Sequence, residues 1–419
     1  MNRFFSFIGT GDYRPCRYSL RGQTAEEVRY VQTALNLLLE PACDEAIVFC
    51  TPKAREAHEK GLVAEFAEKG LREPRIVGIP NGSSEEELWE IFRIVSDLAA
   101  EGDKIVFDVT HSFRSLPIVM TVLLRYLSVA KGVETSECLY GAWEAGNKGD
   151  NVVPVFELTP FFALDDWTHA IRDFERSGDA SEMSRLAAER LGRHCASDAA
   201  ARKLNAAVRK LAAFSENVRL SNLGTENGNG IRSTRVSSEI AQPLADTANG
   251  IPQLEPLLRR MSARFSGYGD GDIRNGFRAA RLAAEHGSLP QAYTLLQETA
   301  LSCLVERHRA DVPDCCDSAV GAREFVGGVL ANASNPRFDW RRNWTRPENT
   351  ADAAEALARK LPRNLVSAWS TTTARRNSLN HAGTNPEEPI NPRSPDFSVN
   401  GFNEMAEALE RSIAEPLRP

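Results

Sequence analysis

The sequence predicts an α/β unit followed by an all-α unit. Short apolar runs rich in β-branched and aromatic residues alternate with helical stretches up to about residue 160. Polar clusters stand at the carboxyl ends of those runs, and beyond Asp165 only helical periodicity remains. The chain has 419 residues, of which 42% are hydrophobic, enough for a core in each of two or three units. The expected layout is an α/β unit over 1–160, a helical linker region over 161–250 and a helical unit over 251–419.

The elements follow in order. Phe4 to Ile8 reads as a first strand ending in Gly9-Thr10-Gly11, a turn that lets backbone N–H groups approach an anion. Thr24 and Glu27 have capping-box spacing and open an expected helix with Val28, Val31, Leu35 and Leu38 on one face. Ala46 to Cys50 and Arg75 to Ile79 read as strands, and Pro52 to Lys69 as a helix. Ser84 with Glu87 caps another helix to about Ala100. Ile105 to Phe107 reads as a strand buried on both faces, and Leu116 to Leu127 as a helix. Glu137 to Ala142 and Val152 to Leu158 complete the set, joined by a turn around Gly146 and Gly149. This βαβα order predicts a Rossmann-like parallel sheet with right-handed crossovers.

In the second half, residues 215–250 are dense in Gly, Asn, Ser and Thr and read as an exposed loop. Gly271 to Glu285 and Leu289 to His308 are the clearest helices, and a proline-rich tail is expected after Ala382. Trp340 and Trp344 lie among the arginines of the stretch 337–346. They could stack on RNA bases, but an i, i+4 pair also suits inward packing.

Composition narrows the classes. A net charge of −7 with 26% charged residues means that any nucleic-acid site must be a local basic feature, and no stable DNA partner is expected. The eight cysteines include no Cys-x-x-Cys pair, so they read as reduced thiols. His308 with Cys315 and Cys316 is the cluster nearest to a metal set, and no metal is expected. No apolar run reaches spanning length and no leader pattern opens the chain, so a cytoplasmic protein without a membrane partner is expected.

Asp108, Thr110, His111, Ser112, Phe113 and Arg114 stand where the strand over 105–107 meets the next helix. Open α/β sheets bind ligands at such a junction. Unpaired N–H groups at the helix start and the Arg114 cation suit a phosphate. The same Asp, Thr and Ser could be ordinary caps, and His111 a satisfied turn histidine. The first turn has Gly-Thr-Gly without the full dinucleotide fingerprint, which disfavours an ordinary nucleotide-dependent Rossmann enzyme.

The stretch DVTHSFRSLP (108–117) resembles the Asp-x-Thr-His-Gly signature of CRISPR-associated proteins with a CARF domain, the Rossmann-like sensor of cyclic oligoadenylates. Ser112 stands where the commonest signature has glycine. FSFIGTGDYRPCRY, IPNGSSEEELWEIF and PVFELTPFFALDDWTHAI are similar to one CARF subfamily as well. The resemblance implies that Gly9, Thr10 and Gly11 face the turn at 108–114 across a ligand groove. The implied activator is a cyclic oligoadenylate, with tetra-adenylate favoured over hexa-adenylate.

A second chemical cluster is Arg376, Asn377 and His381: a permanent cation, an amide and a group titrating near neutrality, without a carboxylate cluster for metal. RNA can be cut with those parts, because its own 2′-hydroxyl is the nucleophile. Arg281 and His286 repeat the five-residue spacing inside an amphipathic helix, where a structural role suffices. Arg376 is followed by Asn377, and that motif resembles the Arg, polar, three residues, His signature of HEPN ribonucleases, the catalytic partner usually fused to CARF. Five helical residues separate Arg376 and His381 by ~140°, so either the helix frays or two subunits complete one site. The resemblance implies paired motifs in a homodimer or higher even-numbered oligomer. The leading expectation is therefore a metal-independent endoribonuclease on single-stranded RNA in type III CRISPR defence. The alternative is a catalytically inactive cyclic-oligoadenylate-binding module that regulates a partner, or that sequesters or degrades the messenger.

Overall fold

The computed structural model describes residues 1–111, 116–146, 151–192, 197–225, 228–248, 253–345, 349–382, 384, 390–391 and 394–414. The chain divides into two compact units, Met1–Ala163 and Leu164–Pro419.

The first unit runs β1 (Asn2–Ile8), β2 (Arg17–Leu20), β3 (Gln23–Thr24), α1 (Val31–Leu38), β4 (Glu45–Cys50) and α2 (Pro52–Glu68). It continues with β5 (Arg75–Gly78), α3 (Glu85–Leu98), β6 (Lys104–Asp108), α4 (Leu116–Lys131), β7 (Glu134–Gly141) and β8 (Val152–Glu157). The sheet order is β3-β2-β8-β7-β6-β1-β4-β5. From β7 to β5 neighbouring strands are parallel, as the alternation predicts. The sheet is nevertheless mixed, which corrects the parallel expectation: β8 is antiparallel to β7, and β3 to β2. The chain leaves β1 towards β4 and β5, then returns to β6 on the other side of β1. The carboxyl ends of β1 and β6 therefore flank the switch point of the sheet, the place where open α/β sheets have their ligand crevice.

Alternation along the central strands sends Phe4 and Ile8 to the face covered by α1 and α2. It sends Phe5, Phe7, Ile105 and Phe107 to the face covered by α3 and α4. Ser6 shares the first of these faces yet is fully buried, a polar residue at a core position.

The capping box expected at Thr24 and Glu27 does not form. Thr24 pairs with Ser19 in a β2–β3 hairpin, and α1 begins only at Val31. Arg21 and Gly22 both adopt positive φ, at 53° and 80°, which is the geometry a two-residue hairpin loop requires. Arg21 is held there by Glu137 at 2.9 Å and Glu157 at 2.8 Å, and these tertiary contacts override the local helix signal. The cap at Ser84 does form, its hydroxyl accepting from the Glu87 N–H while the Glu87 carboxylate accepts from the Ser83 N–H.

The second unit contains α5 (Thr159–Ser177, which starts in the first unit), α6 (Ser181–Leu186), α7 (Ala199–Arg219), α8 (Gln242–Ala248), α9 (Glu255–Arg264) and α10 (Asn275–Glu285). It continues with α11 (Leu289–Arg307), α12 (Ala319–Ala333), α13 (Trp340–Asn343), α14 (Ala351–Lys360), α15 (Arg363–Asn380) and α16 (Val399–Ala414). One hydrophobic cluster runs from Trp167 and Phe174 through Phe214, Phe265 and Tyr293 to Phe402 and Leu409.

Two expectations change here. The loop at 215–250 is shorter, because Phe214 and Val218 keep α7 packed to Arg219 and a helix resumes at Ser237. The tail after Ala382 includes α16, whose Phe402, Ala406 and Leu409 fall on one buried face. Trp344 packs inward, edge-on to Phe325, with its indole N–H donating to the Thr350 hydroxyl at 3.0 Å.

Phe107→Ala should lower stability by about 3–5 kcal/mol, because the ring is fully buried between Phe7 and the α3–α4 layer. Val129→Ala, at a side chain 91% exposed, should change it by under about 0.5 kcal/mol, both read by urea denaturation.

Candidate functional site

The crevice is built on Asp108. Ser6 of β1 pairs in register with Asp108 of β6, and its hydroxyl donates to the buried carboxylate at 2.6 Å. Gln32 of α1 donates to the Ser6 hydroxyl at 3.1 Å and to the Phe7 carbonyl at 2.9 Å. On the other oxygen, the Thr110 N–H and hydroxyl donate at 3.0 and 2.5 Å. The Thr110 hydroxyl accepts in turn from the Gly141 N–H at 2.8 Å. A Cβ at Gly141 would lie 3.2 Å from Tyr18 and Val31 and 3.3 Å from Thr110, so the end of β7 approaches because it carries no side chain. Burial pushes the Asp108 carboxyl up, and the Ser6 and Thr110 donors pull it back.

Around this anchor lies a stack of rings. The Gly9 N–H donates to the Tyr13 hydroxyl at 2.8 Å, bending the first loop back over the crevice. Tyr13 packs 4.4 Å from His111 and 4.7 Å from His58, and Tyr30 stands behind at 5.8 and 5.9 Å from Tyr13 and His58. Burial, helped by the nearby His58, pushes His111 down to about 4, and burial lowers His58 against an opposing contact with the Gly11 backbone. Burial also pushes Tyr13 up to about 12. The stack is therefore uncharged near neutrality, and it offers ring faces and hydrogen bonds.

Gly9 and His111 lie close together, since a Cβ on Gly9 would lie 3.7 Å from the His111 carbonyl. Thr10 and Gly11 are exposed on the same loop. Asp108 and Thr110 are spent on each other and on their neighbours, so they position the crevice instead of facing it. Ser112, Phe113 and Arg114 lie outside the described residues. Sequence reasoning passed over Ser6, Tyr13, Tyr30, Gln32 and His58. For Ser6 and Gln32 the available signal was a polar residue at a position whose period demands an apolar one.

The second cluster sits at the carboxyl end of α15. Arg375 and Arg376, adjacent in sequence, differ in use. Arg375 pairs with Asp396 at 2.5 Å, whereas Arg376 makes no ion pair among the described residues. The half-buried Arg376 donates from Nη1 to the Asn377 amide oxygen at 3.2 Å, and its Nε is buried without an acceptor. The His381 N–H still bonds the Asn377 carbonyl at 2.8 Å. The chain then turns away at Ala382, with φ at 53°, leaving the His381 side chain exposed. The other pair of the same spacing is structural: Arg281 forms a two-bond pair with Glu410 at 2.7 and 3.0 Å, and His286 packs edge-on to Phe174.

His308 is engaged by Asp311 at 3.0 Å, and among the described residues no three His, Cys, Asp or Glu side chains group to hold a metal ion. No described helix is long and apolar enough to cross a membrane.

These features define an α/β unit with a hydrogen-bonded polar cluster at the switch point of its sheet, carried on a chain whose other unit is helical. No family model matches the chain. Over 111 residues it is 32% identical to the CRISPR-associated protein MJ1674 of Methanocaldococcus jannaschii. The match covers 26% of this chain and 17% of that protein.

Thr110→Val removes a donor to Asp108 and the acceptor for Gly141, and should cost about 2–4 kcal/mol in chemical denaturation; Thr110→Ser should cost under about 1 kcal/mol. His111 gives a pH test. Its folded-state value lies below the unfolded one, so between pH 6.5 and about 4 the unfolded chain takes up a proton that the folded chain refuses. Stability should fall as pH drops through that window, and His111→Gln should flatten the fall when both proteins are denatured in urea at each pH. An identical slope in the two proteins would show that His111 is not held neutral.

Proposed function

We propose that the chain is a CRISPR-associated, cyclic-oligoadenylate-activated ribonuclease that cuts single-stranded RNA without metal. The observation that carries this reading is Arg376: half-buried, aimed by Asn377, one donor without an acceptor, and five residues from an exposed histidine. A phosphodiester supplies what that guanidinium lacks. Arg376 stabilises the charge that builds on the phosphorane, while His381 moves a proton to or from the 2′- or 5′-oxygen. The 32% identity to a protein named CRISPR-associated supports the assignment to such a system.

The activator sits in the crevice between the first loop and the loop after β6, on the neutral Tyr13–His111 stack. Backbone N–H groups and Arg114 meet its phosphates. Tetra-adenylate is favoured over hexa-adenylate as the ring. A rotationally symmetric ring is matched best by two copies of the crevice across an isologous interface, so the working form is a homodimer with one ring. The backbone at the end of α15 supports a shared nuclease site as well. Hydrogen bonding persists to His381, so the ~140° between Arg376 and His381 is kept and fraying does not bring them onto one face. Activation then requires only that the ring bind the cleaving state more tightly than the resting one.

His381→Ala and Arg376→Ala should each reduce activated cleavage of labelled RNA at least ~100-fold and leave ring affinity unchanged, while His286→Ala leaves the products unaltered. Cleavage should survive EDTA and yield 2′,3′-cyclic phosphate ends. Metal dependence with 3′-hydroxyl ends would reject the mechanism. Ring binding without any cleavage would identify a messenger-binding module instead.

A further inference from the structure

The helical unit holds a cavity of about 680 Å³ that the assigned chemistry does not use. It lies between α10, the carboxyl end of α11 and the carboxyl end of α16. Its size is that of a site for a small ligand. One wall carries Arg274, the residue just before α10, with Arg278 and Arg281 of that helix at i+4 and i+7, and Arg307 of α11, which donates to the Ile413 carbonyl, adds a fourth guanidinium. Apolar side chains complete the lining: the largely buried Phe277 of α10 itself, Ile413 of α16, and Cys303 of α11, whose thiol burial pushes up to about 11 and so keeps neutral.

The carboxylates in this lining are already engaged. Glu410 takes both bonds from Arg281, and Glu306 is paired with Arg232. Arg274 is exposed and makes no ion pair among the described residues. Arg278 has only a long approach to Asp272, at 3.8 Å, and lies 5.9 Å over the Tyr268 ring, with its Nη1 buried and without an acceptor. Two like charges one helical turn apart repel, so α10 carries a cost here that an anion between them would remove. A guanidinium pair matches a phosphate, and the apolar wall matches the face of a base or ribose.

We infer that this cavity is a binding site for a phosphate-bearing nucleotide, held by Arg274 and Arg278 against Phe277 and Ile413. It is distinct from the Arg376 cluster. Gln297 of α11 touches Thr373 of α15, and ten residues of helix, about 15 Å, separate Gln297 from Arg307 at the cavity. On the proposed function, which this inference extends, the nucleotide belongs to the RNA strand, gripped away from the bond that is cut. A free nucleotide offers the same chemistry.

The test uses the full chain with two probes: adenosine monophosphate, and a short 2′-O-methyl oligoribonucleotide, which lacks the nucleophile and so reports binding without cleavage. Arg274→Ala with Arg278→Ala should weaken the oligonucleotide at least tenfold. The salt dependence of its binding constant should flatten by the equivalent of about one phosphate contact, with ring affinity unchanged. The exposed Arg274→Ala alone, which disturbs no packing, should show a smaller loss in the same direction. Loss confined to adenosine monophosphate would assign the site to a free nucleotide. Wild-type affinity and salt dependence for both probes in both variants would overturn the inference. Cleavage of ordinary RNA is scored separately. A wild-type protein that never cuts RNA, yet loses probe binding on substitution, would sink the nuclease reading and leave this site standing.

Discussion

The buried carboxyl group of Asp108 organises the first unit, because a polar group without access to water must be met by hydrogen bonds from every side. Ser6 satisfies one oxygen and Thr110 the other. Each donor is fixed in turn, Ser6 by Gln32 of α1 and Thr110 by the backbone of Gly141. Three neighbouring strand ends and one helix are thereby held in one arrangement, whose members cannot shift singly without leaving a buried polar atom unpaired. Such a network is a costly way to gain stability. Its return here is positional, since it fixes where the Gly9 loop and His111 stand relative to each other.

That positioning explains why the rings are neutral. Tyr13, His58 and His111 pack ring against ring, and burial lowers both histidines and so favours their neutral forms. A neutral stack suits a heteroaromatic base, which binds through its face, but it supplies no counter-charge to a phosphate. On the proposed function, the phosphates of the activator would therefore be met by backbone N–H groups of the glycine loop and by an arginine. A phosphate would be drawn to the edge of the stack and a base to its face, a division of labour that follows from burial alone.

Much of this was legible in the sequence. Alternation gave the five strands β7, β6, β1, β4 and β5, most clearly the central β6, β1 and β4, whose largely apolar runs are buried on both faces and end abruptly in polar residues. The hairpin of β2 and β3 was hidden by Thr24 and Glu27, whose spacing fits a helix cap equally well. Arg21 and the distant Glu137 and Glu157 decide between the two, and that contact has a sequence separation no local pattern can report. α16 escaped for a different reason. Its Phe402, Ala406 and Leu409 do have helical spacing, but the prolines at 386–395 mask the start of the periodic stretch. Asp108 was legible as a special residue but not as a buried one, since a cap and a ligand contact ask for the same side chain at the same strand end.

The helical unit adds a lesson about charge. A net charge of −7 conceals local cationic features, because many of the described arginines are paired one by one with acidic partners. Arg185 meets Glu182 and Glu189, Arg260 meets Glu175, Arg359 meets Glu355, and Arg375 meets Asp396. An arginine so paired must give up its carboxylate before it can hold a phosphate, and that exchange returns little free energy. What matters is therefore not how many arginines a surface has but which of them lack a partner. Arg376 and Arg274 make no ion pair among the described residues, and Arg278 has only its distant one. Each stands beside groups that complement a nucleotide: Asn377 and His381 in one case, Phe277 and Ile413 in the other. Local electrostatic deficit, read together with the groups that stand beside it, is what motivates both proposed sites in a chain whose overall acidity argues against either.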